Sequence, residues 1–280
     1  MDIRLIDNQK ISLLNVVCSN IRSSDEIKFA IAFAKNSGFS KIKEDLIEFV
    51  NKGYFAEIIL GLDFRITDPA VLFELLNINK PNFQFWCFSN PDLDRVASYH
   101  PKLYLFCNPT EVKTIIGSSN LTSGGLQGNI ELNIEVTVET DDEFVSDVYE
   151  SYNLIKFTEH CFHPSIEYVH HYESIYKKIL AKKIDKGRAL IKEIKEKEVL
   201  LPKPIIKNND LSGWMKLIYE MLPDSKFSNN DIYSFEQTFK EIYPHNQNIR
   251  AKIRQQLQFL AKIGLVKHIE RNVWIKKDDI

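Results

Sequence analysis

Residues 99–136 read YHPKLYLFCNPTEVKTIIGSSNLTSGGLQGNIELNIEV, strand-like segments separated by turns. On a strand, residues two apart share a face. His100 and Lys102 stand in that relation, Ser118 and Asn120 repeat it on the next segment, and Glu131, Asn133 and Glu135 repeat it on the one after. The pattern predicts a patch of sheet on which a His, a Lys, an Asn and a carboxylate converge. Such a set suits a phosphate. An imidazole attacks phosphorus or protonates a leaving oxygen. A Lys neutralises the non-bridging oxygens, and an Asn amide donates to them in fixed geometry. A carboxylate holds the far ring nitrogen and selects the tautomer. These residues include no carboxylate pair at magnesium-holding spacing, so the positive charge is expected from side chains, with no metal and no cofactor.

Upstream, strand-like and helix-like segments alternate. Residues 27–34 (IKFAIAFA) form a short apolar run suited to a buried strand. Residues 40–53 place Ile42, Leu46, Ile47, Phe49 and Val50 at helical spacing, with Ser40 to cap the start and Gly53 to end it. Residues 57–62 read as a strand, and Thr67-Asp68-Pro69 opens a helix over residues 70–76. Residues 83–88, 100–106, 112–116 and 130–138 suit strands, with Trp86, Phe85 and Phe88 as core. A helix with an acidic start follows at residues 141–156. The whole predicts a layered α/β domain over residues 1–163.

Residues 175–198 are charged and helix-forming, interrupted by Gly187 and followed by Pro202 and Pro204. They read either as a helical linker, assigned to residues 164–207, or as a solvated helix packed on the first domain. Residues 208–280 predict a second domain: helices over 211–221, 231–242 and 248–263, a stop at Gly264, then strands over 265–269 and 273–276. Three helices followed by a hairpin give the winged-helix (α+β) outline.

The formal net charge of −2, from 36 Lys plus Arg against 38 Asp plus Glu, announces no nucleic-acid binder, so that reading must come from local patches. One such patch lies at the C-terminus, where Arg250, Lys252, Arg254, Lys262, Lys267, Arg271, Lys276 and Lys277 oppose Glu270, Asp278 and Asp279. Asn246, Gln247, Asn248, Arg250, Arg254 and Gln255 are the side chains expected to face DNA, since Arg and Asn or Gln read base edges bidentately. Lys252 and the other Lys residues would hold phosphates, and Arg271 is also counted among the DNA-binding residues. The four cysteines are far apart with no C-x-x-C pair, which argues against a disulfide framework and a thiolate zinc site. His160, His163, His170 and His171 read as packed or surface histidines. With no apolar leader and no run of membrane-spanning length, a cytoplasmic protein without membrane association is expected.

His100-Pro101-Lys102 followed by Gly117-Ser118-Ser119-Asn120 resembles the signature of the phospholipase D superfamily. The upstream AIAFAKNSGF and EIILGLD also resemble the N-terminal part of such domains, so the likeness covers roughly residues 25–150. Within the superfamily the chain looks most like the small nucleases and the BfiI/NgoFVII-type restriction endonucleases, which carry one motif copy and a Glu shortly after the Asn, here Glu131. The signature's Asp five residues after the Lys is replaced by Cys107, which weakens a lipase reading more than a nuclease one. The family mechanism uses two histidines, and none of His160, His163, His170, His171, His245 or His268 is followed two residues later by Lys. The resemblance therefore implies a homodimer that apposes two His100 side chains. Residues 244–274 (PHNQNIRAKIRQQLQFLAKIGLVKHIERNVW) resemble the DpnI-type C-terminal winged helix of some restriction endonucleases.

Together these readings predict a metal-independent, type II-like restriction endonuclease cutting double-stranded DNA through a phosphohistidine. His100, Lys102, Asn120 and Glu131 are its catalytic residues, and Ser118 is a weaker phosphate contact. The rivals are a phospholipid phosphodiesterase or transferase and a non-catalytic DNA-binding regulator. The recognition sequence, and any methyltransferase or helicase partner, stay open.

Overall fold

The computed structural model describes residues 1–63, 65–90, 98–182, 206–244 and 246–277. The chain divides into two compact units: Met1–Thr137 with Glu159–Lys203, and Val138–Thr158 with Pro204–Ile280.

The first unit is built on a mixed sheet. Its strands are β1 (Asp2–Asp7), β2 (Glu26–Ile31), β3 (Phe55–Gly61), β4 (Phe83–Phe88), β5 (Lys102–Cys107), β6 (Glu111–Gly117), β7 (Leu132–Glu139) and β8 (Cys161–Phe162). They lie in the order β1-β7-β6-β5-β2-β3-β4-β8. β2, β3 and β4 run parallel, joined by helices α2 (Asn36–Asn51) and α3 (Pro69–Leu76). Parallel neighbours need such crossovers, and their central strands are buried. β5 then runs antiparallel to both β2 and β6. The C-terminal ends of β2, β3, β4 and β6 and the N-terminal end of β5 therefore share one edge of the sheet.

Phe29, Ile31, Ile58, Leu60, Tyr104 and Phe106 pack on one face of the sheet with Phe39, Ile42 and Leu46 of α2. Ile6 and helix α1 (Leu13–Arg22) join the same core. The α2 helix starts before the expected Ser40, with Lys35 at its N-cap position, and Gly53 closes it in the left-handed region at φ 90°. Strand β1, helix α1 and strand β8 have no counterpart in the sequence reading. The helix expected from residue 175 starts earlier, as α5 (Ile166–Lys182). Its predicted continuation to residue 198, with Gly187, Pro202 and Pro204, lies outside the described residues.

In the second unit, helix α4 (Glu143–Lys156) is capped by Asp142, whose side chain accepts the Phe144 N–H. The sequence reading placed this helix in the first domain, yet it packs within the second unit. Its Lys156 Nζ donates to the Asp210 carbonyl at 2.8 Å, and Ser212 Oγ donates to Asn153 Oδ1 at 3.3 Å. Helices α6 (Gly213–Met221), α7 (Asn229–Tyr233), α8 (Glu236–Ile242) and α9 (Ile249–Lys262) surround a core in which Trp214 stacks on Phe239 and Tyr243. The single helix expected over 231–242 is split between α7 and α8. Strands β10 (Val266–Glu270) and β11 (Val273–Lys276) form the wing, and β9 (Phe227–Ser228) adds a third strand. The outline is that of a winged helix.

Candidate active site

β5 begins at Lys102, so His100 lies just before the strand rather than on it. The Pro101 carbonyl still accepts the Ala32 N–H at 2.8 Å, which continues the β2 pairing beyond the strand end. In β5 the buried Lys102 stands at the sheet edge, and its Nζ lies 2.6 Å from His100 Nδ1 and 3.0 Å from the His100 carbonyl. The structure thus brings His100 and Lys102 together, with the Lys reaching back along the chain to lie beside both ring nitrogens. The imidazole itself is exposed.

Leu103 pairs with Ile116, so the same register sets Lys102 beside Gly117 and His100 level with Ser119. A side chain at Gly117 would put its Cβ 2.4 Å from Asn133 Oδ1 and 2.5 Å from the Leu132 carbonyl, so only glycine fits there. Beyond it, the exposed Ser118 Oγ donates to the Glu131 carboxylate and accepts the Leu132 N–H at 3.1 Å. Asn129 Nδ2 donates to the other Glu131 oxygen at 3.2 Å. Ser119 is buried and held on both sides: Asn133 Nδ2 donates to its hydroxyl at 2.9 Å, and its carbonyl accepts the Tyr104 hydroxyl at 3.0 Å. Asn120 Oδ1 accepts the Phe33 N–H at 3.3 Å, and the chain continues through a parallel bridge between Ala34 and Leu121. With its oxygen so engaged, the Asn120 amide offers its Nδ2 as a donor.

His100, Lys102, Ser118, Asn120 and Glu131 thus gather at one edge of the sheet, carried by the ends of β5, β6 and β7, with Asn120 bonded to the chain leaving β2. That edge, outside the carboxyl ends of parallel strands, is where open α/β sheets place their ligands. Partial burial and the adjacent Lys102 ammonium lower the His100 pKa below its ordinary value. Burial also lowers that of Lys102, against an opposing pull from Glu131. The Glu131 carboxylate is therefore near enough to act on Lys102, while its described hydrogen bonds come from Ser118 and Asn129. Cys107, at the position of the signature's missing Asp, lies at the far end of β5, where its carbonyl accepts the Asp25 N–H at 2.8 Å. The substitution leaves the site edge untouched.

Of the histidines after β7, His163 and His170 are exposed yet lie against aromatic rings. The His163 ring lies 3.7 Å from that of Trp86, and His170 lies against Phe73. The four cysteines are buried and form no disulfide. Among the described residues, no three His, Cys, Asp or Glu side chains are grouped to hold a metal ion, and no helix is long and apolar enough to cross a membrane.

On the winged helix, Gln247, Asn248, Arg250, Arg254, Gln255 and Arg271 are exposed. Arg250 pairs with Glu236 at 2.8 Å and lies over the Tyr233 ring, while Arg254 donates to the Tyr233 hydroxyl at 3.0 Å. Two of the named residues point elsewhere. Asn246 is buried, with its Oδ1 accepting the Asn248 N–H at 2.7 Å. Lys252 is engaged with Glu150 and Asp147 of α4. Asp63, quoted within EIILGLD but given no role in the sequence reading, is a buried carboxylate whose Oδ2 accepts the Tyr99 N–H at 3.0 Å. It follows the end of β3 by two residues, and the available signal was its place in the quoted EIILGLD.

Residues 210–276 match the family described as the Dam-replacing HTH domain. No curated protein matches the chain. Among solved structures, NucT from Helicobacter pylori aligns at 17% identity and a TM-score of 0.46, covering 58% of this chain and 99% of its own. The phospholipase D family member Nuc from Salmonella typhimurium aligns at 19% identity and a TM-score of 0.42, covering 55% and 93%. The phosphatidylserine synthase of Haemophilus influenzae aligns at 12% identity and a TM-score of 0.45, covering 71% and 48%. The chain thus carries a C-terminal domain matching the Dam-replacing HTH family, after an α/β unit that aligns with NucT and with the phospholipase D family member Nuc.

Proposed function

We propose that this chain is a metal-independent, type II-like restriction endonuclease that cleaves double-stranded DNA through a phosphohistidine. The observation that carries the reading is the gathering of His100, Lys102, Ser118, Asn120 and Glu131 at one sheet edge in a chain that also has a Dam-replacing HTH domain. In the proposed reaction, a neutral His100 attacks phosphorus to form a P–N bond. The bond to the leaving sugar oxygen breaks, and that oxygen takes a proton from the protonated His100 of a second copy. Water then attacks phosphorus, its proton passes to that second His100, and the P–N bond breaks to return free imidazole and a phosphate-ended strand. Lys102 and the Asn120 amide stabilise charge on the non-bridging oxygens. Glu131 draws on Lys102 and orients Ser118.

The second copy is supported by an inverted pattern at the sheet's β1 end. In β7, Asn133 and Glu135 are buried while Leu132 is 55% and Ile134 48% exposed. In β1, Leu5 pairs with Ile134 and is 58% exposed, and Ile3 is 62% exposed. Ile116 and Ile130 extend this apolar surface toward Ser118 and Glu131. A contiguous apolar face of this kind marks an interaction site, and its continuity with a site that needs another histidine favours a two-fold partner of the same chain.

Plasmid cleavage in excess EDTA tests the reading. Native protein is expected to cut, and folded His100→Ala to lose turnover. Cutting by His100→Ala would overturn the mechanism. Cutting only with added magnesium would overturn the metal independence, and hydrolysis of phosphatidyl substrates instead of DNA would favour the phospholipid reading.

A further inference from the structure

Tyr99, immediately before His100, is held from several sides. Alternate residues of β3 and its exit, 59, 61 and 63, all meet it. The Ile59 carbonyl accepts the Tyr99 hydroxyl at 3.4 Å. Gly61 leaves room for the ring: a Cβ there would lie 2.5 Å from Tyr99 Cδ1 and 2.4 Å from the Ala32 carbonyl. Asp63 Oδ2 accepts the Tyr99 N–H at 3.0 Å, and its Oδ1 accepts the Asn90 N–H at 2.6 Å. Phe88, at the end of β4, stacks on the Tyr99 ring at 4.5 Å and 20°. On the other side of His100, the Pro101 carbonyl is fixed by Ala32. Nearby, Arg65 takes a left-handed φ of 52°, a strained conformation that persists where surroundings over-determine it.

A buried carboxylate is costly unless its oxygens are satisfied. Burial raises the Asp63 pKa against the two N–H groups, with Arg65 and His160 as the charged or titratable groups acting on it in the opposing direction. The carboxylate binds one N–H on the segment leaving β4 and another on the residue preceding His100, which no neutral side chain of its size accepts together. What the carboxylate supplies here is the backbone geometry it imposes.

We propose that Asp63 is a positioning residue for His100: by clamping the Tyr99 and Asn90 N–H groups it fixes the backbone that presents the imidazole beside Lys102. Its catalytic consequence rests on the reading of His100 as nucleophile, whereas the positioning itself does not. The test uses the full chain, with Asp63→Ala and the isosteric Asp63→Asn, and two readouts. One is steady-state DNA cleavage. The other is the NMR titration of the His100 imidazole, assigned by the resonance missing in His100→Ala.

Asp63→Ala is expected to lower kcat about 10- to 100-fold with KM for DNA unchanged, since displacement of a reacting group by about 1 Å costs that order of rate. Its His100 is expected to titrate nearer the ordinary imidazole value, because the ring leaves the Lys102 ammonium. Asp63→Asn, which can accept only one of the two N–H groups well, is expected to fall between Ala and native on both readouts. A folded Asp63→Ala with native kcat and native His100 titration would overturn the proposal. Where Asp63→Ala fails to fold, Asp63→Asn decides it on the same two readouts. If native protein cuts no DNA, the nuclease reading fails and the titration alone decides the positioning.

Discussion

At the residue scale, the proposed chemistry turns on the contact between His100 and Lys102. A nucleophilic imidazole must be neutral, and both burial and the neighbouring ammonium favour that form by lowering its pKa. The sign follows directly. Because the pKa is lowered, the attacking form persists below the pH at which a free imidazole would protonate, and it is lost only as pH falls through the lowered value. The acid limb of single-turnover cleavage is therefore expected below about pH 6.5, the unperturbed histidine value. Lys102→Met removes the like charge, so this limb should move upward in pH. The same change removes a phosphate partner and should slow cleavage about 100- to 1000-fold at the plateau. An acid limb that stays in place in Lys102→Met would show that Lys102 does not tune His100.

Among the elements, the reading helix α9 sorts its own residues. Ile249, Ile253, Leu257 and Leu260 face the core, which turns Arg250 and Arg254 outward together, four residues apart. Lys252 falls on the side facing α4 and is paired there, and Asn246 is consumed in the turn before the helix. The DNA-facing set proposed for this element is therefore Gln247, Asn248, Arg250, Arg254 and Gln255, with Arg271 on the wing. Replacing Arg254 with Ala is expected to weaken DNA binding by about 1–3 kcal/mol if it reads a base edge. If it meets only phosphate, the loss should be uniform across sequences and the salt slope should fall by about one. Fluorescence anisotropy against several duplexes, repeated over a range of salt, separates the two. Unchanged binding would remove α9 from the interface.

On the scale of the whole molecule, the proposed two-histidine mechanism needs a second chain, and the exposed apolar face on β1 and β7 is the surface proposed for it. Ile134→Arg places a charge at the centre of that face without touching the core, since its side chain points outward. Analytical ultracentrifugation is expected to give a dimer for the native chain and a folded monomer for the variant, with DNA cleavage lost in parallel. A native monomer that cuts DNA would overturn the shared site.

Much of this was legible in the sequence, because it depends on local rules. Period-two spacing placed His100, Lys102, Ser118, Asn120 and Glu131 on neighbouring segments, and turn and apolar signals located β2 to β7, α2, α3 and the wing. Interactions between residues remote in sequence were not legible. Strand β1 is held by pairing to β7, with Arg4 bound to a buried Glu135, so its exposed Ile3 and Leu5 carry no inward-facing pattern to read. Helix α4 follows β7 in sequence, yet its contacts with Asp210, Ser212 and Lys252 lie some 54 to 102 residues away and assign it to the second unit. Asp63 looks like a polar residue at a strand end until folding brings Tyr99 and Asn90 to its two oxygens. The sequence by itself determined which groups can act on phosphorus, because that is a property of side-chain type and local spacing. Only the tertiary structure decided how they are aimed, because a buried carboxylate's partners are fixed by which strands the core packs side by side.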